Sequence, residues 1–222
     1  MIEISHLRKS FGTTDVLSGL DLSINAGELV VLLGPNGSGK STLFRCMMGL
    51  IDYDGQISID GLSPLTHGKA VRKEIGFMPQ QCGLHLDMTV DETLEFYALI
   101  RKQSSEHAFR LLEQVNLGST RTMKVGELSG GMRQRLSYVV AAFARPKVLI
   151  LDEPISNLDR ESQSLILSHL LALHEEKITI LLSTHLKHDM LDVADRSFVM
   201  SEGRLWDTVT ADTYAMEGAM QS

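Results

Sequence analysis

The stretch Gly34-Pro35-Asn36-Gly37-Ser38-Gly39-Lys40-Ser41-Thr42 fits the pattern G-x-x-x-x-G-K-[ST]. Gly34, Gly37 and Gly39 carry no Cβ, so the backbone between them can turn tightly and aim its N–H groups at phosphate oxygens. A helix opening at the end of this loop adds the partial positive charge of its N-terminus. In this pattern the Lys40 ammonium reaches the β- and γ-phosphates and the Ser41 hydroxyl holds Mg²⁺. The chemistry implied is the cradling of a nucleoside triphosphate. A glycine-rich turn without a ligand is the competing reading, and it fits poorly because strand, loop, lysine and serine all agree with the first.

Three further stretches end in polar residues suited to the same chemistry. Pro146-Lys147-Val148-Leu149-Ile150-Leu151 is an apolar run ending in Asp152-Glu153. An apolar strand ending in Asp directs that acid at Mg²⁺, and the adjacent Glu153 can take a proton from an attacking water. Glu74-Ile75-Gly76-Phe77-Met78-Pro79 leads to Gln80, which could sense the metal or that water. Ile178 to Thr184 leads to His185, which could hydrogen-bond a γ-phosphate. A lone Gln or His at a strand end is more often structural than catalytic, so the weight lies in their joint appearance. Leu128-Ser129-Gly130-Gly131-Met132 then opens a helix with a serine and two glycines, a second anion-binding helix start. One triphosphate does not need two such sites, which suggests that the second serves a nucleotide held by another chain.

Elements able to position these groups are visible in the pattern. Glu28 to Leu33 is an apolar β-rich run before the loop, and Thr42 to Met48 is a helix former after it, ending near Gly49. Ile2, Ile4, Leu20, Leu22 and Ile24 alternate in the β manner around a turn at Phe11 to Asp15. Gln56 to Asp60 adds a short strand, so an antiparallel β layer is expected beside the nucleotide-binding sheet. From about residue 83 to 140 the pattern is helical. Thr89 with Glu92 is a capping box, and Ala108, Leu111, Leu112 and Val115 form an apolar stripe. Ser162 to Leu173 reads as a helix, and Arg196 to Met200 with Gly203 to Leu205 close the sheet. Alternating strands and helices predict a mostly parallel α/β sheet, in which ligands gather at the strands' carboxyl ends. One domain is expected, with 1–82 and 141–222 forming the core and 83–140 a helical subdomain.

These motifs stand in the order and at the spacing of the ATP-binding cassette (ABC) ATPase family, which the chain resembles over nearly its whole length. The Leu128–Met132 signature is the most specific of them. The resemblance implies a P-loop NTPase fold: a RecA-like α/β core with an antiparallel β layer and an inserted helical subdomain. It implies ATP and Mg²⁺ as cofactors, with Ser41, Gln80 and Asp152 facing the metal. Glu153 would polarise water, His185 would steady the transition state, and Gln80 would link the metal and water. Phe11 would stack on adenine beside the loop Gly34 to Thr42. Ser129, Gly130 and Gly131 would meet the γ-phosphate held by an opposite subunit, and Asp159 would communicate across that dimer. In Ser156-Asn157-Leu158-Asp159 an Asn stands where the family usually has a small residue or Gly, and Asn tolerates left-handed backbone angles. No catalytic position is degenerate, so a hydrolysing subunit is expected. Its partners would be a second cassette, identical or related, and a separate membrane-spanning permease docked near the Gln80 loop. The segment Gln80 to Tyr97 is similar to the exporter branch called ABC-2.

Bulk properties bound these expectations. A length of 222 residues with 43% apolar content supplies a sizeable core, and the net charge of −7 argues against a general nucleic-acid binder. Cys46 and Cys82 form no Cys-x-x-Cys or Cys/His cluster, so free thiols are expected. Met1 to His6 shows no basic and then apolar leader, and no apolar run approaches the roughly 20 residues of a membrane span. A cytoplasmic protein, peripheral on the inner face of the membrane through its partner, is therefore expected. A soluble mechanical ATPase working on nucleic acid or ribosomes is the second reading. It would call for coiled-coil insertions or fused cassettes, and the chain has neither sustained heptads nor a basic balance.

Overall fold

The computed structural model describes residues 1–156, 158–185, 191 and 193–208. Two sheets carry the molecule. The smaller is antiparallel: β1 (Ile2–Phe11) lies between β2 (Thr14–Ile24) and β4 (Asp54–Ile59). The larger runs in the order β5 (Ile75–Met78), β6 (Val148–Asp152), β7 (Thr179–Thr184), β3 (Leu29–Leu33), β8 (Arg196–Ser201) and β9 (Arg204–Asp207). Every pairing in it is parallel except β8 with β9.

β3, β6 and β7 are buried at every position. Both of their faces are covered, which is why they read as continuous apolar runs rather than alternating ones. The pleat sends successive side chains into different cores. Val30, Leu32, Val148 and Ile150 join Ile2, Leu20, Phe44 and Met47 between the two sheets. Leu29, Val31, Leu149 and Leu151 face the opposite way, into the core built by the helices.

The helices are α1 (Lys40–Met47), α2 (Pro64–Glu74), α3 (Val90–Arg101), α4 (Glu106–Gln114), α5 (Gly130–Ala142) and α6 (Arg160–Glu175). The capping box opens α3: Glu92 N–H donates to Thr89 Oγ1 at 3.1 Å, and Thr89 N–H donates to Glu92 Oε2 at 2.8 Å. The stripe of Ala108, Leu111, Leu112 and Val115 is buried. α2 has no counterpart in the sequence reading, and it takes Glu74 from the strand expected there. Only Pro64 and Val71 of α2 are buried and its backbone kinks at His67, so it carries almost no amphipathic pattern. α5 continues past residue 140 and lies hard against β5. A Cβ on Gly76 would stand 2.1 Å from the Ala141 carbonyl oxygen, so only glycine permits that approach.

Both cysteines are free, Cys46 buried and Cys82 half-buried. Burial pushes the Cys46 thiol up to about 11. Among the described residues no helix is long and apolar enough to cross a membrane. Asn157 and the tail from residue 209 lie outside the described residues.

Tyr138 of α5 is wholly buried and its hydroxyl hydrogen-bonds Nδ1 of His169 on α6. Burial, and next the charge of His107, hold the His169 pKa below the usual 6.5. The unfolded chain then binds the extra proton first, so this contribution to stability is complete above pH 6.5 and is lost as pH falls through the lower folded value. Thermal unfolding midpoints measured against pH should fall below that point, and His169→Gln should flatten the decline.

Candidate active site

Because β5, β6, β7 and β3 are parallel neighbours, their carboxyl ends share one edge of the sheet. The register is tight: Leu33 pairs with Thr184, Asp152 with Ser183, and Met78 with Leu151. The residues that follow these ends are the phosphate loop, Gln80, Asp152-Glu153 and His185, as the motifs required.

The loop is closed around its own lysine. Gly39 caps α1 at φ 109°, a left-handed angle that favours glycine. Gly34 is packed so closely that a Cβ would meet the Met200 carbonyl oxygen at 2.3 Å and Ser38 Oγ at 2.9 Å. Lys40 is buried, and its Nζ donates to the carbonyls of Gly34 at 2.7 Å and Pro35 at 3.1 Å. It stands 3.8 Å from Glu153 Oε1. Burial draws the Lys40 pKa below its ordinary value, while the charges of Glu153 and Asp152 push it back up.

A cleft of about 430 Å³ opens here, lined by Phe11 and Val16 from the β1–β2 hairpin, residues 36–42, Gln80, Asp152 and Glu153. Phe11 is half exposed, with Lys9 Nζ 5.0 Å from its ring centroid. An aromatic platform, phosphate-directed backbone, a cation and two acids thus border one space.

The acids are held unusually firmly. Asp152 and Glu153 are each only 3% exposed. Glu153 has φ 58°, a left-handed backbone that costs a non-glycine residue about 1–2 kcal/mol. Its N–H is shared between Ser183 Oγ at 3.1 Å and the Ser183 carbonyl at 3.2 Å. Its carbonyl accepts from Gln134 Nε2 at 2.9 Å and from Ser156 Oγ at 2.9 Å, and Gln134 also reaches the Pro154 carbonyl at 3.0 Å. Ser183 Oγ donates to Asp152 Oδ1 at 2.6 Å. Glu153 Oε2 lies 2.8 Å from His185 Nδ1.

Two polar atoms in this lining, Ser38 Oγ and Glu153 Oε1, are buried without a hydrogen-bond partner. Buried polar atoms are normally satisfied, so these two mark where a bound water, metal or phosphate would complete the site. The donor set around them is hard oxygen: Ser41, Asp152 and Gln80. That set suits a small dication held by one carboxylate together with phosphates. Among the described residues no group of three or more His, Cys, Asp or Glu could hold a metal ion by itself.

Not every expected residue reaches the cleft. Gly34 and Pro35 contribute through their carbonyls alone. Ser129, Gly130 and Gly131 do not line it: Ser129 and Gly130 are exposed, and Ser129 Oγ caps α5 by accepting from Met132 N–H at 3.2 Å. Asp159 caps α6, taking Ser162 N–H at 2.8 Å and Ser162 Oγ at 3.0 Å, and these bonds hold its carboxyl below the usual range. Ser183 and Gln134 were missed. Ser183 leaves a trace, a serine directly after the apolar run Ile180–Leu182 of a buried strand and two residues before His185. Gln134 leaves none.

A phosphate loop between strand and helix, an acid pair at the next-but-one strand end, and a doubly layered α/β core define a P-loop nucleotide-binding domain. A match to the ABC transporter family covers residues 17–156, and the chain belongs to that family. It is 39% identical over 214 residues to a sulfate/thiosulfate import ATP-binding protein CysA of Bacillus cereus, covering 92% of this chain and 60% of that one. It is 36% identical over 208 residues to the Nod factor export ATP-binding protein I of a Rhizobium species, covering 91% of this chain and 68% of that one. The chain spans about three fifths of the length of the sulfate import relatives. Its fold superposes on the dimeric structure of a bacterial ABC transporter cassette with a TM-score of 0.85, at 26% identity over 92% of this chain and 96% of that one.

Gln134→Ala removes the side chain that satisfies two loop carbonyls. Denaturant unfolding should show a loss of about 1–3 kcal/mol, the cost of leaving the Pro154 carbonyl unpaired, since the Glu153 carbonyl keeps Ser156 Oγ.

Proposed function

We propose that this chain binds ATP with Mg²⁺ and hydrolyses it to power a separate membrane-spanning transporter subunit. The observation that carries the reading is Glu153: a buried carboxylate set between His185 at 2.8 Å and Lys40 at 3.8 Å at the mouth of the phosphate loop. Phe11 stacks the base, the N–H groups of residues 36–41 and Lys40 hold the phosphates, and Ser41, Asp152 and Gln80 hold the metal. When bound, Mg²⁺ neutralises charge on the β- and γ-phosphates. Glu153 orients the attacking water and accepts its proton, and His185 positions Glu153 through their hydrogen bond. Lys40 stands 3.8 Å from Glu153 Oε1 and gives that buried carboxylate a cation to face.

Ser129 and Gly130 are exposed and do not line their own cleft. We infer that they meet the γ-phosphate bound to a second cassette in a head-to-tail dimer. The exposed Leu86, Phe96, Leu99 and Ile100 follow the Gln80 loop and give a membrane subunit an apolar seat. The chain would then lie on the cytoplasmic face of that subunit. The finer reading is export, supported by the residues from Gln80 to Tyr97. The similar proteins named above serve both import and export.

Glu153→Gln should keep ATP affinity within about twofold while phosphate release falls about 10²–10⁴-fold, the usual contribution of a positioned base. Ser129→Arg should leave ATP binding by single chains intact. ATP-dependent dimers, followed by size-exclusion chromatography with the Glu153→Gln background, should disappear.

A further inference from the structure

We propose that Ser183 is a positioning residue for both acids, setting the metal-facing geometry of Asp152 and the backbone of Glu153 through one hydroxyl. The inference rests on the ATPase reading above and extends it to a residue outside the motifs. Strand register places Ser183 directly across from Asp152 on the neighbouring strand. Its side chain is fully buried, so the hydroxyl has no water to turn to.

A hydroxyl has one hydrogen and two acceptor sites. Here the hydrogen goes to Asp152 Oδ1 at 2.6 Å, and a lone pair receives Glu153 N–H at 3.1 Å. Engaging Oδ1 fixes the plane of the Asp152 carboxylate and leaves Oδ2 as the oxygen available to the cleft. Accepting the Glu153 N–H helps hold the left-handed φ of 58° that turns the Glu153 side chain toward Lys40 and His185. No other hydrogen bond to Asp152 Oδ1 exists among the described residues, so removing the hydroxyl strands a buried carboxylate oxygen and loosens both acids together. Outer partners of metal-facing groups typically matter by 10–100-fold.

The test uses the full chain as Ser183→Ala, Ser183→Cys and Ser183→Thr. A fluorescent ATP analogue is titrated in EDTA and then against Mg²⁺, with ATP turnover and the thermal midpoint measured alongside. Ser183→Ala should bind the analogue in EDTA as the parent does, need about tenfold more Mg²⁺ for half-maximal effect, and turn over about 10–100-fold more slowly. Ser183→Thr, which keeps the hydroxyl, should restore both within a few-fold. Ser183→Cys fills the same space with a weak donor and should fall between, and it carries the test if the alanine variant does not fold. A parental Mg²⁺ midpoint in Ser183→Ala, or an equal loss of binding with and without the metal, overturns the inference while leaving the ATPase reading intact. A parent chain that hydrolyses no ATP overturns both.

Discussion

The buried carboxylate of Glu153 is the constraint around which this edge of the molecule is arranged. Taking an ion of that size out of water carries an effective cost of several kcal/mol. It also sits on a left-handed backbone that the residue does not favour. Compensation comes from three separate elements. The phosphate loop brings Lys40 to 3.8 Å, β7 brings His185 to 2.8 Å and the Ser183 hydroxyl to the main chain, and α5 brings Gln134 to the carbonyl. None of these is a sequence neighbour of Glu153. The acid is tolerable only when the sheet is fully assembled, so the reactive geometry and the native fold are one condition.

α5 ties this centre to the rest of the chain. Its N-terminus is capped by an exposed Ser129, its second turn places Gln134 on the Glu153 and Pro154 carbonyls, and its last turn lies against Gly76 of β5. Helical hydrogen bonding makes those contacts parts of one rigid rod. One helix thereby carries the contacts at its exposed end, at the acid loop and at the strand that leads to Gln80. The helical segment is therefore joined to the catalytic edge through a shared helix rather than a flexible linker.

Much of this was legible because local chemistry and global position coincide. Three strands buried on both faces announce themselves as apolar runs, and the polar residues that end them have to lie at one edge once the sheet is parallel. The phosphate loop, the Thr89–Glu92 capping box and the stripe from Ala108 to Val115 depend on short-range geometry, and each formed as read. α2 was illegible because it buries only Pro64 and Val71 and kinks at His67. Strand order was equally hidden, since β3 pairs with β7 and β8, partners about 150 residues away. Ser183 and Gln134 matter through cross-strand and helix-to-loop contacts, and no spacing rule encodes those. Asn157 falls outside the described residues.

Asp159 is a capping carboxylate that keeps acceptor capacity in reserve. As the cap of α6 it receives two hydrogen bonds from Ser162, one on each oxygen. That looks like a carboxylate already spent on structure, which would compete with any role across an interface. A carboxylate, however, offers about four acceptor sites, so two remain. The cap also fixes the orientation of the group and keeps it ionised, because both Ser162 bonds favour the charged form. A donor arriving from another chain would meet an acceptor whose conformational entropy had been given up during folding, and the usual ordering cost of about 0.5–1.5 kcal/mol per immobilised side chain would fall mainly on the donor. Capping at this position therefore leaves the carboxylate able to accept a donor from another chain.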